Sequence, residues 1–239
     1  MKLPPEEGHH LCRVLRRRPG DAVILLPREG GALDGVIASA EERDGRLEVC
    51  VRVLGEAEGS EKGLLPWTVA VALVKGESFE LALRLATELG LEGLVPVISA
   101  RTVVRWKKGS EKLARWERIA REAAKQCGRS RPLSLRAPLA LGEFLSGWKE
   151  ITGKRPLPPR GWLAVPSGPE GLQAFRGIER LEETPFVFLV GPEGGFTEGE
   201  VARGREAGFE PTGFPVPTLR TPTAVALIAA LGLVLRILR

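Results

Sequence analysis

The feature that most constrains the fold is an alternation of strand-like and helix-like segments that begins at residue 68. Residues 68–74 and 94–98 are short apolar runs, and between them lies a helical spacing of apolar residues that ends at Gly90. Strands that alternate with helices are typical of a parallel sheet covered on both faces. We therefore predict an α/β domain over residues 66–239.

The same alternation continues to the end of the chain. We predict an amphipathic helix at residues 113–124, irregular structure around one short helix at 133–160, strands at 162–165 and 186–190, and a helix at 198–207. The last helix, from residue 224 to 235, is apolar on nearly all sides and so must be buried on nearly all sides. Either a second subunit or the core of the monomer would bury it.

The first 65 residues follow a different pattern. A short helical stretch ends at Pro19-Gly20, and β-like runs follow at residues 22–26, 33–40 and 47–54. We predict a small β-rich domain over residues 1–65.

Composition narrows the class of protein. The formal net charge of +5 and the pI of about 9.4 accompany 27% charged residues, so the basic excess must be local. A basic patch would favour a polyanionic partner such as RNA, although composition alone favours an ordinary soluble basic protein. Cys12, Cys50 and Cys127 form no Cys-x-x-Cys pair, which argues against a zinc site or a disulfide framework. We expect a cytoplasmic protein without a membrane span.

The sharpest local motif is the apolar run 186–190 followed by Gly191-Pro192-Glu193-Gly194-Gly195-Phe196. Thr197 and Glu200 then form a capping box that fixes the start of a helix. A buried strand, a glycine turn and a helix start are typical of a ligand site at the carboxyl end of a parallel sheet. A tight turn that binds nothing has the same pattern.

The charge of this loop indicates which ligand it suits. It lacks the lysine of a P-loop and the glycine spacing of a dinucleotide fold, and Glu193 would repel phosphate. S-adenosylmethionine carries a sulfonium, an ammonium and ribose hydroxyls, all of which an acidic loop can bind. We hypothesise that S-adenosylmethionine is the ligand.

A second motif, residues 218–224, precedes the last helix. Here Thr221 is predicted to be the N-cap and Pro222 the first helical residue, where its missing N–H costs nothing.

Together these motifs resemble the paired signatures of the bacterial 16S rRNA uridine-N3 methyltransferases. The resemblance covers nearly the whole chain, and its further matches are His10-Leu11, Val14-Leu15-Arg16, Gly20-Asp21, Lys75-Gly76, residues 86–90 and residues 122–129.

The resemblance implies an N-terminal PUA-like β-barrel for RNA and a C-terminal SPOUT domain with a trefoil knot. It also implies a homodimer, S-adenosylmethionine as cofactor, and 16S rRNA of the small ribosomal subunit as partner. The implied cofactor residues are Leu189, Val190, Gly191, Pro192, Glu193, Gly194, Phe214, Pro215, Val216, Thr218, Leu219, Arg220, Thr221, Thr223 and Ala224.

Three prolines and a short N-terminus depart from the family pattern. Pro222 stands where family members often have glutamate, and Pro215 and Pro217 replace commoner glycine and arginine. With few residues before His9, we expect the usual first strand to be shortened or absent.

Methylation at uridine N3 requires the imide proton to leave. Glu193 is the candidate base, and Arg129 and Arg220 are candidates for stabilising negative charge on the uracil oxygens. Alternatively, Glu193 caps its own turn and the two arginines bind phosphate.

The RNA-binding candidates are basic residues near the N-terminus together with Arg129. Arg13, Arg16, Arg17 and Arg18 are expected opposite an apolar side formed by Leu11, Val14 and Leu15. His10 is assigned to RNA or to structure, because no acidic or cysteine cluster accompanies it to bind a metal.

Two rival functions stay open. The chain could be a SPOUT enzyme for another RNA position, or its prolines could have disabled the cofactor site and left a non-catalytic RNA-binding assembly factor.

Overall fold

The computed structural model describes most of the chain. The described residues are 1–27, 32–43, 45–57, 64–107, 109, 111–129, 131–166, 175, 178, 180, 183–214 and 216–237. By its internal contacts the chain divides into two units, Met1–Lys62 with Gly128–Arg131, and Gly63–Cys127 with Pro132–Arg239.

The first unit contains an antiparallel sheet in the order β1-β2-β3. Its elements are helix α1 (Pro5–His9), a π-helical segment (His10–Val14), and strands β1 (Ala22–Leu25), β2 (Leu33–Arg43) and β3 (Arg46–Glu56). Ile37, Val49 and Val51 are buried in it. Near the N-terminus, Lys2 and Cys50 form an isolated antiparallel bridge.

The second unit is built on a parallel sheet, as the alternating pattern predicts. Among the described strands the order is β10-β8-β9-β4-β5-β6, with β7 also paired to β5. The strands are β4 (Leu65–Ala72), β5 (Leu91–Ile98), β6 (Ser134–Leu135), β7 (Leu139–Ala140), β8 (Arg160–Ala164), β9 (Phe186–Val190) and β10 (Phe209–Thr212). The helices are α2 (Gly76–Glu88), α3 (Lys112–Gln126), α4 (Leu141–Ile151), α5 (Glu198–Glu206) and α6 (Thr221–Ile237).

Side chains alternate between the two faces of this sheet because successive residues of a strand point to opposite sides. Trp67, Val69 and Val71 of β4 pack in the cluster that includes residues of α2, α3 and α6. Ala70 and Ala72 pack in the cluster that includes residues of α4. Both faces are therefore buried, which accounts for the continuous apolar runs in the sequence.

Helix α6 is less completely buried than its apolar sequence predicts. It packs against α2 and β4, and a Cβ on Gly232 would lie 2.5 Å from a Leu65 methyl carbon. Val234 and Ile237, however, are 49% and 79% exposed. No helix in the described part of the chain is long and apolar enough to cross a membrane.

Candidate active site

The first of the two predicted loops follows β9 and closes on itself. The Gly195 N–H donates to the Pro192 carbonyl at 2.8 Å, and Gly195 has a φ of +67°, which favours glycine. A Cβ on Gly191 would lie 3.2 Å from the Phe196 ring and 3.3 Å from the Gly195 Cα. The glycines at both positions therefore allow a tight turn.

The predicted capping box is present at the start of α5. The Glu200 N–H donates to the Thr197 hydroxyl at 3.2 Å, and the Thr197 N–H donates to Glu200 Oε2 at 2.9 Å. The two bonds fix where the loop ends and the helix begins.

Glu200 also reaches a third segment. Its Oε1 accepts a hydrogen bond from the Ala100 N–H at 2.7 Å, and the residue is only 3% exposed. One buried carboxylate therefore joins the loop after β5 to the loop after β9. The sequence signals the capping box but not this bond, because the partners are a hundred residues apart.

Arg101 makes a second connection between the same loops. Its guanidinium donates to the Gly194 carbonyl, and the rest of the side chain is exposed. Beside it, the Ser99 N–H donates to the Thr102 hydroxyl at 3.0 Å. Sequence reasoning missed Arg101, although its place directly after a predicted strand was a usable signal.

The second predicted loop meets the first through Thr221. The Thr221 hydroxyl donates to the Gly191 carbonyl at 3.2 Å, and Thr221 is 2% exposed. The prediction that Thr221 is the N-cap needs correction, because α6 already begins at this residue. Its side chain joins the two loops, so residues thirty positions apart meet at one edge of the sheet.

The remaining cofactor candidates differ in exposure. Leu189 and Val190 are in the core, so only their backbone atoms can contact a ligand. Pro192 is buried, Phe214, Leu219 and Ala224 are half-buried, and the exposed candidates are Glu193, Gly194, Val216, Thr218, Arg220 and Thr223. Pro215 lies outside the described residues.

Known proteins with this sequence pattern are RNA methyltransferases. Residues 61–234 match the family model of an RNA methyltransferase domain, and residues 3–50 match that of an RNA methyltransferase PUA domain. The ribosomal RNA small subunit methyltransferase E of Synechocystis sp. is 32% identical to this chain over 229 residues, which is 95% of this chain and 71% of that protein. This chain belongs to the methyltransferase E family. The resemblance seen in the sequence is thereby confirmed.

Solved structures extend the likeness to the whole fold. The ribosomal RNA small subunit methyltransferase E of Neisseria gonorrhoeae, solved with S-adenosyl methionine, is 28% identical with a TM-score of 0.77. A methyltransferase from Legionella pneumophila, solved with its bound cofactor SAM, is 25% identical with a TM-score of 0.78. Each comparison covers 98% of this chain and 91% of the other chain.

The three predicted catalytic residues differ in exposure and in the unit to which they belong. Glu193 and Arg220 are exposed in the second unit, and neither a hydrogen bond nor an ion pair joins these two described residues. Arg129 is 9% exposed and belongs, with its segment Gly128–Arg131, to the first unit.

The N-terminal RNA-binding candidates are all on the surface of the first unit. His10, Arg13, Arg16, Arg17 and Arg18 are exposed, and Arg13 pairs with Glu42 at 3.4 Å.

The three apolar residues expected opposite these arginines are only partly covered. Leu11 is half-buried, whereas Val14 and Leu15 are 58% and 53% exposed. The π-helical segment ends at Val14, and Arg16 takes a positive φ of 54°. No cluster of three or more potential metal-ligating side chains occurs among the described residues.

Proposed function

We propose that this protein transfers a methyl group from S-adenosylmethionine to N3 of a uridine in 16S ribosomal RNA. The observation that carries the proposal is the hydrogen bond from Thr221 to Gly191, which joins the two loops at the carboxyl edge of the sheet. The family to which the chain belongs, and the two solved relatives with S-adenosylmethionine, support both the donor and the acceptor.

The residues at this edge fit S-adenosylmethionine. The exposed Glu193 carboxylate can attract a sulfonium or ammonium group or bind ribose hydroxyls, and Gly194 leaves the backbone accessible. Half-buried Phe214 and Leu219 offer apolar surface for the adenine ring. We infer that the cofactor lies along residues 189–194 and 214–224.

The proposed reaction needs a proton acceptor beside the uracil. S-adenosylmethionine supplies the methyl group when it is bound. Glu193 would accept the proton from uracil N3, which frees the nitrogen electron pair for the methyl group that the bound cofactor would supply. Arg220 donates hydrogen bonds to the uracil oxygens as negative charge builds up.

The unusual prolines are compatible with this activity. Pro222 is buried in the first turn of α6, where no N–H is needed, and the Ala224 N–H still donates to the Arg220 carbonyl at 3.0 Å. Pro217 is exposed. We therefore favour an active enzyme over an assembly factor without catalysis, and we assign no step to the missing family glutamate.

We assign RNA binding to the first unit. Its exposed His10, Arg13 and Arg16–Arg18 provide cations for phosphate, and we propose that Arg129, in the same unit, also contacts RNA. The match to a PUA domain supports closure of the antiparallel sheet into a PUA-like barrel.

We also propose a trefoil knot and a homodimer. Residues of the second unit far apart in sequence converge at Gly191 and Thr221, as the knot of this family would require. The exposed Val234 and Ile237 give α6 an apolar surface for the same helix of a second subunit. We further propose that the enzyme acts in the cytoplasm, on the ribosomal RNA there.

Methyl transfer to small ribosomal subunits that lack their native uridine-N3 methylation tests the proposal. Labelled S-adenosylmethionine is the donor, and mass spectrometry identifies the modified nucleoside. We expect 3-methyluridine. A different methylated nucleoside would move the enzyme to another RNA position, and RNA binding without transfer would favour the assembly factor.

Glu193→Gln tests the proposed base. We expect the single-turnover rate at saturating S-adenosylmethionine to fall by about a hundredfold or more, since general bases contribute on that order. The control is Glu198→Gln, an exposed acid five residues later. If the variant were slow only at low S-adenosylmethionine concentration and reached the full rate at saturation, Glu193 would be a cofactor ligand and not the base.

A further inference from the structure

A second recess lies in the methyltransferase domain, away from the two loops. This cavity of about 360 Å³ is formed where β4 and β5 begin, against the end of α4. Thr68 and Gly93 line it from the sheet, Ser134 and Arg136 from β6 and the residue that follows, and Lys154 and Arg155 from the turn after α4. We call it the amino-edge cavity.

The register of the strands separates this cavity from the candidate active site. Thr68 pairs with Gly93 and with Val187, three residues before β9 ends at Val190. At a rise of about 3.3 Å per residue, the cavity floor lies roughly 10 Å down the strands from the first loop.

Two glycines make room for the cavity. A Cβ on Gly93 would lie 2.9 Å from the Thr68 hydroxyl, so a side chain there would crowd the floor. Gly153 has a φ of +67° and turns the chain sharply after α4, which brings Lys154 and Arg155 to the rim.

The charge of the lining is positive. Among the described lining residues, Arg136, Lys154 and Arg155 face one carboxylate, that of Glu92, to which Arg155 donates a hydrogen bond. The carbonyls at the end of α4 would oppose an anion, but two of them already accept hydrogen bonds. Arg136 binds the Ile151 carbonyl at 3.4 Å, and Arg155 binds that of Thr152 at 3.2 Å.

These same bonds hold the two guanidinium groups in place. Each guanidinium has five N–H donors, so several stay available to a ligand. Lys154 is exposed and has no acidic partner among the described residues. The hydroxyls of Thr68 and Ser134 add neutral hydrogen-bonding groups to the same cavity.

We propose that the amino-edge cavity binds a phosphate group of the RNA backbone. Arginine, lysine and hydroxyl groups are the side chains that commonly contact backbone phosphate. None of the described residues that line the cavity is aromatic, so these residues offer no stacking surface for a base. The contact therefore fixes the position of the RNA on the domain without reading its sequence. The choice of RNA as the source of the phosphate rests on the proposed function.

The test compares RNA binding by the double variant Arg136→Gln/Lys154→Ala with binding by Lys149→Ala. Lys149 is an exposed lysine of α4 that does not line the cavity. The affinity for a 16S rRNA fragment is measured without S-adenosylmethionine at several salt concentrations. We expect the double variant to lose roughly fivefold to tenfold in affinity and its salt slope to fall by about one. Lys149→Ala should match the unmodified protein.

Equal affinities and slopes for the three proteins would overturn the proposal. Inorganic phosphate serves as a second probe, by calorimetry. If the double variant lost phosphate binding but kept its RNA affinity, the cavity would be a site for a free anion. That result would also overturn the proposed RNA contact. S-adenosylmethionine affinity should be the same in all three proteins. If the protein transferred no methyl group but the double variant still bound RNA more weakly, the proposed function would be contradicted. The assignment of the cavity to RNA phosphate would still be supported.

Discussion

At the carboxyl ends of β5 and β9, buried groups hold the loops together, whereas at the amino edge the cations lie on the surface. Glu200 and Thr221 are 3% and 2% exposed, and they join three segments of chain at the carboxyl edge. At the amino edge, Arg136, Lys154 and Arg155 are all exposed.

The carboxyl edge depends on the geometry of its loops, and the amino edge depends on its charge. A transferred methyl group must meet its acceptor within narrow limits, so the groups around it have to be fixed by neighbours. A phosphate can be attracted by exposed cations without such narrow limits on its position. We therefore expect substitutions at the carboxyl edge to act by misplacing loops, and those at the amino edge to act through salt-dependent affinity.

The largest expected effect is that of Glu200→Ala. The substitution removes a buried carboxylate, so the N–H groups of Thr197 and Ala100 lose their acceptor and half of the capping box is lost. We expect the free energy of unfolding to fall by about 3 kcal/mol and S-adenosylmethionine affinity to fall with it. Chemical denaturation and calorimetry measure the two.

Glu198→Ala is the matched control, because Glu198 is an exposed acid in the same first turn. Removing this carboxylate should lower the free energy of unfolding by only about a few tenths of a kcal/mol, the size of one interaction with the helix dipole. Equal effects of the two variants would mean that the carboxyl edge is not organised by Glu200.

Gly191→Ala should have the next largest effect. The added methyl group would lie 3.2 Å from the Phe196 ring and 3.3 Å from the Gly195 Cα, so the turn must open. Overpacking of this kind costs about 1–3 kcal/mol, and we expect S-adenosylmethionine affinity to fall by roughly tenfold. Gly199→Ala is the control, since its new Cβ would have no neighbour within 4 Å. A cofactor affinity unchanged in both would remove the first loop from the binding site.

Features that depend on residues close together in the sequence were predictable. Strand β9 has the bounds expected for residues 186–190, and the Thr197–Glu200 capping box is present with both bonds. Helix α3 carries the predicted amphipathic pattern, with Trp116 and Ile119 buried. Each of these follows from a periodicity or a spacing within a few residues.

Features that join distant residues were not predictable in this way. The bond from Ala100 to Glu200 and that from Arg101 to Gly194 depend on which strands are neighbours in the sheet. The amino-edge cavity combines β4, β5, β6 and the end of α4, and no sequence motif marks it. At Thr221, the sequence predicted the start of a helix but not that the hydroxyl would donate to Gly191. Capping preferences describe only hydrogen bonds within the helix.

Thr221→Val tests the contact between the two loops at a smaller scale. Valine keeps the shape of threonine and removes only the hydroxyl that donates to the Gly191 carbonyl. We expect a loss of about 1 kcal/mol, which corresponds to roughly fivefold in S-adenosylmethionine affinity. Thr184→Val is the control, because the Thr184 hydroxyl donates to the Arg180 carbonyl at 2.7 Å and is also in a buried residue. The control should lose similar stability and keep its cofactor affinity.

The smallest expected effect is at the amino edge, with Gly93→Ala. Its methyl group would lie 2.9 Å from the Thr68 hydroxyl and intrude on the cavity floor. Because the cations at the rim are untouched, RNA affinity should fall by only about threefold, or ~0.6 kcal/mol. S-adenosylmethionine affinity should not change, since the floor lies away from both loops. Gly142→Ala, at an open position of α4, is the control. If Gly93→Ala lowered the affinity for S-adenosylmethionine as much as the affinity for RNA, the two edges of the sheet would be coupled. The cofactor site and the phosphate site could then not be assigned to separate edges.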